Sequence, residues 1–551
     1  AAGQPVGSIQ LQDGDEPGRL VEDGAGLVHV ALRNAGTVVT VDPRSASLVG
    51  APINVCAAPR GITYDPSTDN IYVACFNGEL VTISGDQVSS AQVERGLRDV
   101  IVQGDKLLVT KFRTAELLTV DGEGKVTERT KPNTVTTRSI RLRGTTDQFT
   151  PEVAWRTLAL PNGGVAMLHQ RALEGDIVIK ATTGSYGGTS TSGGNTPGCD
   201  PTIVHTSVSV LFPGLAPTHD APAIPDALLP VDLASRVMPS GKIELSFVAA
   251  GSNKVYHIDA EATGPGTGID PGCMPDGGGS DGDSGSSSSD SVDGEPVALA
   301  YWNDLTVVQT RDPIGITVVG SGAAPIVLPG ASSTDTGHNL FHRNDGGEVS
   351  LACASCHPEG GDDGHTWHFN TEGARRTQNL SNDVMTTAPF HWDGDMKDLG
   401  MIMHEVFEQR MGGVHQGPEH IAALESYMSK RPAMANPVIG DAAAIARGQA
   451  LFVGTAGCNA CHNGDKLTNN ETKNVGTGRA FQVPSLVGVV MRAPYMHDGC
   501  AATLHDRFDK TLGSSDHGVC GGATSGDHAH GNTADLTSQD VDDLVAYLET
   551  L

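Results

Sequence analysis

The strongest constraint on this chain is a phrase of short strands that returns every ~40 residues along its N-terminal half. Leu27-Val28-His29-Val30-Ala31 is followed by Thr37-Val38-Val39-Thr40-Val41-Asp42. A second copy runs Gly61-Ile62-Thr63-Tyr64-Asp65-Pro66, Asn70-Ile71-Tyr72-Val73-Ala74 and Leu80-Val81-Thr82-Ile83. A third runs Asp99-Val100-Ile101-Val102, Lys106-Leu107-Leu108-Val109-Thr110 and Leu117-Leu118-Thr119-Val120-Asp121, and weaker copies begin near Trp155, Val231 and Val297. Alternating β-branched residues bounded by Asp, Gly and Asn turns read as half-buried strands. A sheet of four such strands cannot bury both faces alone and has to stack on its neighbours, which defines a propeller blade. Six units are countable, a seventh has room between residues 180 and 230, and Gly7-Ser8-Ile9-Gln10-Leu11 is placed to complete the last blade.

The 69 glycines, 31 prolines and 4% aromatics suit such a strand-and-turn architecture. Two insertions interrupt it, 182–200 and 264–294, rich in Gly, Ser, Thr and Asp. Their composition cannot bury enough apolar surface to order itself, so both are expected to be surface loops. Asp281-Gly282-Asp283-Ser284 lacks the spacing and closing glutamate of a calcium loop. The repeat resembles the Tyr-Val-Thr-Asn type of β-propeller, the likeness resting on Ile71-Tyr72-Val73-Ala74 and the turn from Asp65-Pro66 to Asn70. His205, His219 and His257 stand singly and form no catalytic constellation, so docking or scaffolding is the expected role of residues 1–328.

Beyond residue 328 the spacing becomes helical. Pro418 opens an apolar-periodic run to Met428 with Pro432 beyond it, and Val541, Leu544, Val545, Leu548 and Leu551 share one helical face. This half carries Cys353-Ala354-Ser355-Cys356-His357 and, later, Cys458-Asn459-Ala460-Cys461-His462. Two cysteines so spaced can each form a thioether to a haem vinyl group, with the adjoining histidine as proximal ligand. Each motif follows a Gly-x-x-Leu-Phe run, Gly337 to Phe341 and Gly448 to Phe452. The competing reading is structural zinc, which needs paired knuckles; each CxxC here has its own histidine and no matching knuckle nearby. The expected fold is therefore multidomain: an all-β propeller of six or seven blades, 1–328, then two mainly α c-type cytochrome domains, 329–435 and 436–551, splitting near Asn436-Pro437.

Six of the ten cysteines remain: Cys56, Cys75, Cys199, Cys273, Cys500 and Cys520. An even remainder beside c-type haem points to an oxidising compartment, with chain order suggesting Cys56–Cys75, Cys199–Cys273 and Cys500–Cys520 among fifteen pairings. The chain begins at Ala1 with no basic, apolar leader and is read as a mature secreted form, periplasmic or extracellular. A net charge of −29 argues against nucleic acid and anionic membrane and favours a partner with a basic patch. No apolar run is long enough for a transmembrane segment.

The C-terminal half resembles the bacterial di-haem cytochrome c peroxidases and their relatives that oxidise tryptophan residues of partner proteins. The likeness rests on Leu340-Phe341, Glu372-Gly373-Ala374-Arg375-Arg376-Thr377, Phe390-His391-Trp392-Asp393-Gly394, Pro484-Ser485-Leu486 with Val489, and Ala493-Pro494-Tyr495-Met496-His497-Asp498-Gly499. It implies two covalently bound haem c groups on Cys353, Cys356, Cys458 and Cys461, with His357 and His462 as proximal ligands. Trp392 takes the family's position between the haems. The histidine beside the first haem falls on His368, with His365 as the near alternative. Where the family has a glutamine and a glutamate for acid–base work, this chain has His404, Glu405 and Glu408 on one expected helix, His404 being the first choice. The second haem's sixth ligand would fall near Thr511, which cannot serve. His530 is the candidate in its place, with His517, His528, Met491, Met496 or an open position as alternatives. The family's inter-domain calcium is doubtful, because its positions match Arg376 and Arg492, and two guanidinium groups repel a divalent cation.

What the resemblance implies is an oxidoreductase that takes hydrogen peroxide at the first haem and passes electrons through the second. The donor would be a small cytochrome or cupredoxin; alternatively, a partner protein's side chain is oxidised. A second reading is a non-catalytic electron carrier with the propeller as docking platform. A third, a lactonase-like propeller enzyme with accessory haems, finds no metal-ligand cluster in the blades.

Overall fold

The structure is a computed structural model describing residues 7–138, 146–177, 202–214, 219–220, 223–259, 287–330, 332, 334, 335–347, 350–432, 440–513, 520 and 529–551. The chain folds into two compact units: residues 1–173 with 190–334, and residues 174–189 with 335–551.

The first unit is a six-bladed propeller. Antiparallel meanders occupy 17–54, 59–92, 97–130, 135–220, 230–291 and 296–327; the fourth has five strands and the others four. Apolar side chains of one blade meet those of the next. Val38 packs with Ile62, Val73 and Val81; Leu80 with Leu97, Val109 and Leu118; Leu108 with Val165, Met167 and Leu211; Val248 with Val255 and Val308. The core thus lies between blades, as a repeat that cannot bury itself requires. Strands of four blades contribute a charged network around the buried Asp99 and Asp232: Arg156 reaches Asp99 at 2.8 Å and Asp232 at 3.3 Å, and Arg19 reaches Asp232 at 2.5 Å. Cys56 and Cys75 are disulfide-bonded.

Three expectations change. The space for a seventh blade is taken by Val204–Leu211 and His219–Asp220, which extend the fourth. The last blade is completed by Ile326–Val327 and not by residues 7–11, which form no strand. The segment after Pro325 is nearer along the chain, so closing the sheet needs no N-terminal strand. The second insertion ends sooner than its composition suggests: Ser287–Ser291 pairs with Lys254–Asp259 as the outer strand of blade five, a position that exposes a polar face to water. Cys199 and Cys273 lie outside the described residues.

The second unit contains the same two-helix crossing twice. Thr336–His342 packs on Pro418–Ser429, and Ala442–Val453 on Ser538–Leu548. Asp335 and Asp441 cap the leading helices, and Thr537 with Asp540 forms a capping box on the last. A methyl at Gly337 would overlap the Ala423 carbonyl, and one at Gly448 the Asp543 carbonyl, so only glycine lets each pair approach this closely. Phe341 meets Tyr427 at 5.6 Å, and Phe452 meets Tyr547 at 5.3 Å. The Gly-x-x-Leu-Phe runs are the sequence trace of this crossing. Cys500–Cys520 is a disulfide in the second copy. Among the described residues no helix is long and apolar enough to cross a membrane.

Candidate functional site

Each CxxCH motif forms a single tight turn, Cys353–Cys356 and Cys458–Ala460, which brings the histidine amide back to the first cysteine's carbonyl at 2.9 Å in both copies. None of the four cysteines is disulfide-bonded. Burial pushes the Cys353 thiol up to about 11 and raises Cys458 as well. His357 Nδ1 lies 3.2 Å from the Gly361 carbonyl, and His462 Nδ1 lies 3.2 Å from the Leu467 carbonyl. Nδ1–H is therefore the donor in each, leaving the Nε2 lone pair for a metal, the way ligating histidines are usually oriented. Burial lowers both histidine pKa values and favours the neutral, ligating form. Among the described residues no three His, Cys, Asp or Glu side chains converge to hold a metal ion. Paired cysteines outside any disulfide, with an oriented neutral imidazole, fit covalent haem c.

The two halves join through a reciprocal exchange. The hairpin Thr366–Phe369 and Gly373–Arg376 belongs to the first, the short pair Thr472–Lys473 and Phe481–Gln482 to the second. Arg376 N–H donates to the His497 carbonyl at 2.6 Å, and Gln482 N–H donates to the Trp392 carbonyl at 2.7 Å. Loops 388–394 and 493–499 have one shape. Each is closed by a bridge, Phe390 to Met396 and Tyr495 to Ala501, and turns on a positive-φ residue, His391 at 69° and Met496 at 71°. Trp392 and His497 thereby occupy equivalent places, with rings 6.3 Å apart. His497 stacks on Phe481 at 4.1 Å, Trp392 meets the same ring edge-on at 6.3 Å, and the Arg375 guanidinium lies 5.1 Å from its centre. Trp392 Nε1–H donates to the Arg376 carbonyl at 2.7 Å, so this side chain is fixed at the junction. The sequence reading quoted His497 only as part of the Ala493–Gly499 motif, without a role, and did not single out Phe481. Aligning Ala388-Pro389 through Gly394 with Ala493-Pro494 through Gly499 would have shown that His497 stands where Trp392 does.

Arg376 is buried against Asp362 at 2.7 Å, and Asn379 donates to the other Asp362 oxygen at 3.0 Å. The Arg492 guanidinium donates to the carbonyls of Ser485, at 2.8 Å, and Val487. At both positions a built-in organic cation occupies oxygen acceptors.

Asp398 caps the helix Leu399–Ile402, which widens into a π-helix over Met403–Glu408. Such turns are uncommon and gather at functional sites. The structure brings His404 and Glu408 together: Nδ1 lies 3.2 Å from Oε2, while Gln409 Nε2 lies 2.9 Å from His404 Nε2. His415 adds a second imidazole on the other Glu408 oxygen at 2.8 Å, and the Gln416 amide donates at 3.3 Å. Burial alone would push the Glu408 carboxyl up; these donors hold it below its ordinary value. Glu405 lies on the same π-helix, half-buried.

His368 is exposed on the first hairpin strand, and its carbonyl accepts from Ile177 N–H at 2.6 Å. His365 is buried, its ring 4.2 Å from Trp367. His530 lies beside the second motif: its carbonyl accepts from Arg507 at 3.2 Å, and Asn532 N–H donates to the Ala456 carbonyl. Burial pushes the Arg507 guanidinium down to about 10. Thr511 is exposed and bonded to Asp509, Met491 is buried, and His517 and His528 lie outside the described residues.

Residues 445–551 match the cytochrome c family. The methylamine utilization protein MauG of Methylorubrum extorquens is 29% identical, over 37% of this chain and 72% of its own length. The cytochrome c551 peroxidase of Nitrosomonas europaea is 28% identical, over 30% of this chain and 67% of its own. The hydrazine synthase subunit gamma of Kuenenia stuttgartiensis is 24% identical, over 37% and 72%. Together with the duplicated helix crossing and the CxxCH turns, these define the class: a haem oxidoreductase carrying covalently bound haem c. More narrowly, the C-terminal half is similar to proteins of the di-haem peroxidase-like kind, and a six-bladed propeller precedes it.

Proposed function

We propose that this is a two-haem peroxidase-like enzyme, with one haem on Cys353 and Cys356 in a domain over 329–435 and the other on Cys458 and Cys461 in a domain over 436–551. His357 and His462 are the proximal ligands, each aimed by its Nδ1–H bond. Bound haem supplies the redox chemistry of its iron. The chain's own work is to bring hydrogen peroxide, protons and electrons to it. His404 takes and returns a proton between the peroxide oxygens, and Glu408 holds the imidazole in place. His368 would serve the first haem as ligand or acid–base group, and His530 would be the candidate further ligand of the second iron. Trp392, Phe481 and His497 give a continuous aromatic path across the junction. Electrons come from a small cytochrome or cupredoxin, or from the side chain of a protein substrate.

The observation that carries this reading is Trp392 fixed between two equivalent CxxCH halves that exchange backbone bonds. Two disulfides alongside haem-type cysteines support a periplasmic or extracellular setting. Arg376 and Arg492, already seated on oxygen acceptors, argue against an inter-domain calcium.

Stopped-flow spectroscopy of the oxidised and half-reduced protein with hydrogen peroxide tests the proposal; no spectral change in either form refutes it. The mass of the purified polypeptide should show two attached macrocycles. One observation favours the electron-carrier reading instead: both ring nitrogens of His404 are engaged within its own turn. That reading requires two six-coordinate low-spin irons that ignore peroxide, which electron paramagnetic resonance on the oxidised protein would reveal.

A further inference from the structure

The compact unit that holds both CxxCH motifs also includes Ile177, four residues past the strand ending at Leu173. Ile177 is the contact. Its N–H donates to the His368 carbonyl at 2.6 Å, its carbonyl accepts from Asn370 N–H at 3.0 Å, and its side chain is 3% exposed. It pairs in parallel with Phe369 on the outer edge of Thr366–Phe369, whose other edge pairs with Gly373–Arg376. The two-stranded hairpin thus gains a third member. From Arg376 the bonding continues to the His497 carbonyl and to Trp392 Nε1.

We propose that Ile177 is a positioning residue for His368, a splint that sets where this imidazole stands relative to the first iron. The inference rests on the reading of His368 as a group beside that iron. An isolated two-stranded hairpin is marginal in water, and this one has only four residues per strand. His368 itself is exposed, so its side chain has little packing to hold it. In a strand the Cα–Cβ direction follows the pleat. Fixing the carbonyl of residue 368 and the amide of residue 370 therefore fixes the plane from which the imidazole projects. A segment borrowed from far earlier in the chain then governs the coordination or proton chemistry of the first haem, without touching the second.

The test uses the full-length, haem-loaded protein and three variants. Ile177→Pro removes the N–H donor, Ile177→Ala keeps both backbone bonds but removes the buried side chain, and His368→Ala removes the imidazole. Optical and electron paramagnetic resonance spectra are recorded in the oxidised and half-reduced states, with the peroxide rate constant. The expected result is that His368→Ala and Ile177→Pro alter the same first-haem signals, and that Ile177→Pro slows the peroxide reaction on the order of tenfold to a hundredfold. Second-haem signals should stay as in the parent, and Ile177→Ala should fall between. If His368→Ala alters the first-haem signals while folded Ile177→Pro leaves them unchanged, the splint is refuted and the His368 reading stands. If His368→Ala changes nothing, that reading falls and takes the splint with it. Should Ile177→Pro give no soluble holoprotein, Ile177→Ala decides: unchanged first-haem signals refute the proposal.

Discussion

Replacing Asp362 with alanine removes one partner of an ion pair whose side chains are 1% and 5% exposed. At the observed 2.7 Å separation the gross attraction is about 6 kcal/mol for an effective dielectric of about 20. Desolvation of each ion costs several kcal/mol and offsets most of it, so the intact pair contributes little net stability. The variant is different, because the Arg376 guanidinium stays buried with its carboxylate gone, keeping the Thr377 carbonyl among its acceptors. Asn379 also loses an acceptor. The expected destabilisation of the C-terminal unit is about 3–5 kcal/mol. Urea unfolding followed at the haem absorbance band measures it. The double variant Asp362→Leu with Arg376→Met removes both charges and should return to within about 1 kcal/mol of the parent. The Arg376 backbone carries the bonds to His497 and Trp392, so on the proposed two-haem reading the single variant should also slow electron exchange across this junction. An Asp362→Ala protein within about 0.5 kcal/mol of the parent would refute the reasoning, since only an accessible, solvated pair behaves so.

Four further outcomes follow from the geometry. Gly448→Ala puts a methyl onto the Asp543 carbonyl and should cost about 1–3 kcal/mol, lowering the urea midpoint at constant slope; an unchanged midpoint contradicts the close crossing. Glu408→Gln should lower the peroxide rate constant by about 10²–10⁴-fold with haem attachment intact, and an unaltered rate would remove Glu408 from the proton chemistry. His169 and His205 are buried in blade four, where burial, with the Arg171 charge in second place, holds His169 well below its ordinary range and His205 at about 3. The unfolded chain therefore binds more protons below about pH 6.5. Propeller stability should be fully present above that pH and fall toward pH 3 by up to about 1.4 kcal/mol per unit for each histidine, with a gentler slope in His205→Phe; a flat profile from pH 7 to 5 would contradict this. Treatment with a calcium chelator should leave spectra and peroxide reactivity unchanged, and recovery of a lost signal on adding calcium would overturn the argument from Arg376 and Arg492.

The sequence by itself determined the repeating blades, the two CxxCH turns, the helix with Pro418 at its start and the terminal helix through Leu548. It also named two disulfide pairs correctly. These rest on local chemistry: strand alternation, a fixed ligand spacing and helical periodicity over neighbouring residues. Even the two glycines of the helix crossings left a trace, because a backbone contact that close excludes every other residue. What required the tertiary structure was the partner of each group across long stretches of chain. His497 reaches Trp392 only because the second half folds as a copy of the first and returns its loop to the junction. Ser287–Ser291 is a strand because a polar outer edge needs backbone partners and no apolar face, and composition does not reveal that. His415 completes the Glu408 carboxylate through a turn outside the helix. Ile177 joins the His368 strand from far earlier in the chain, at a position ahead of the insertion read at 182–200. Backbone hydrogen bonding is blind to side-chain identity, so such pairings leave no pattern in the residues, and only the folded chain reveals them.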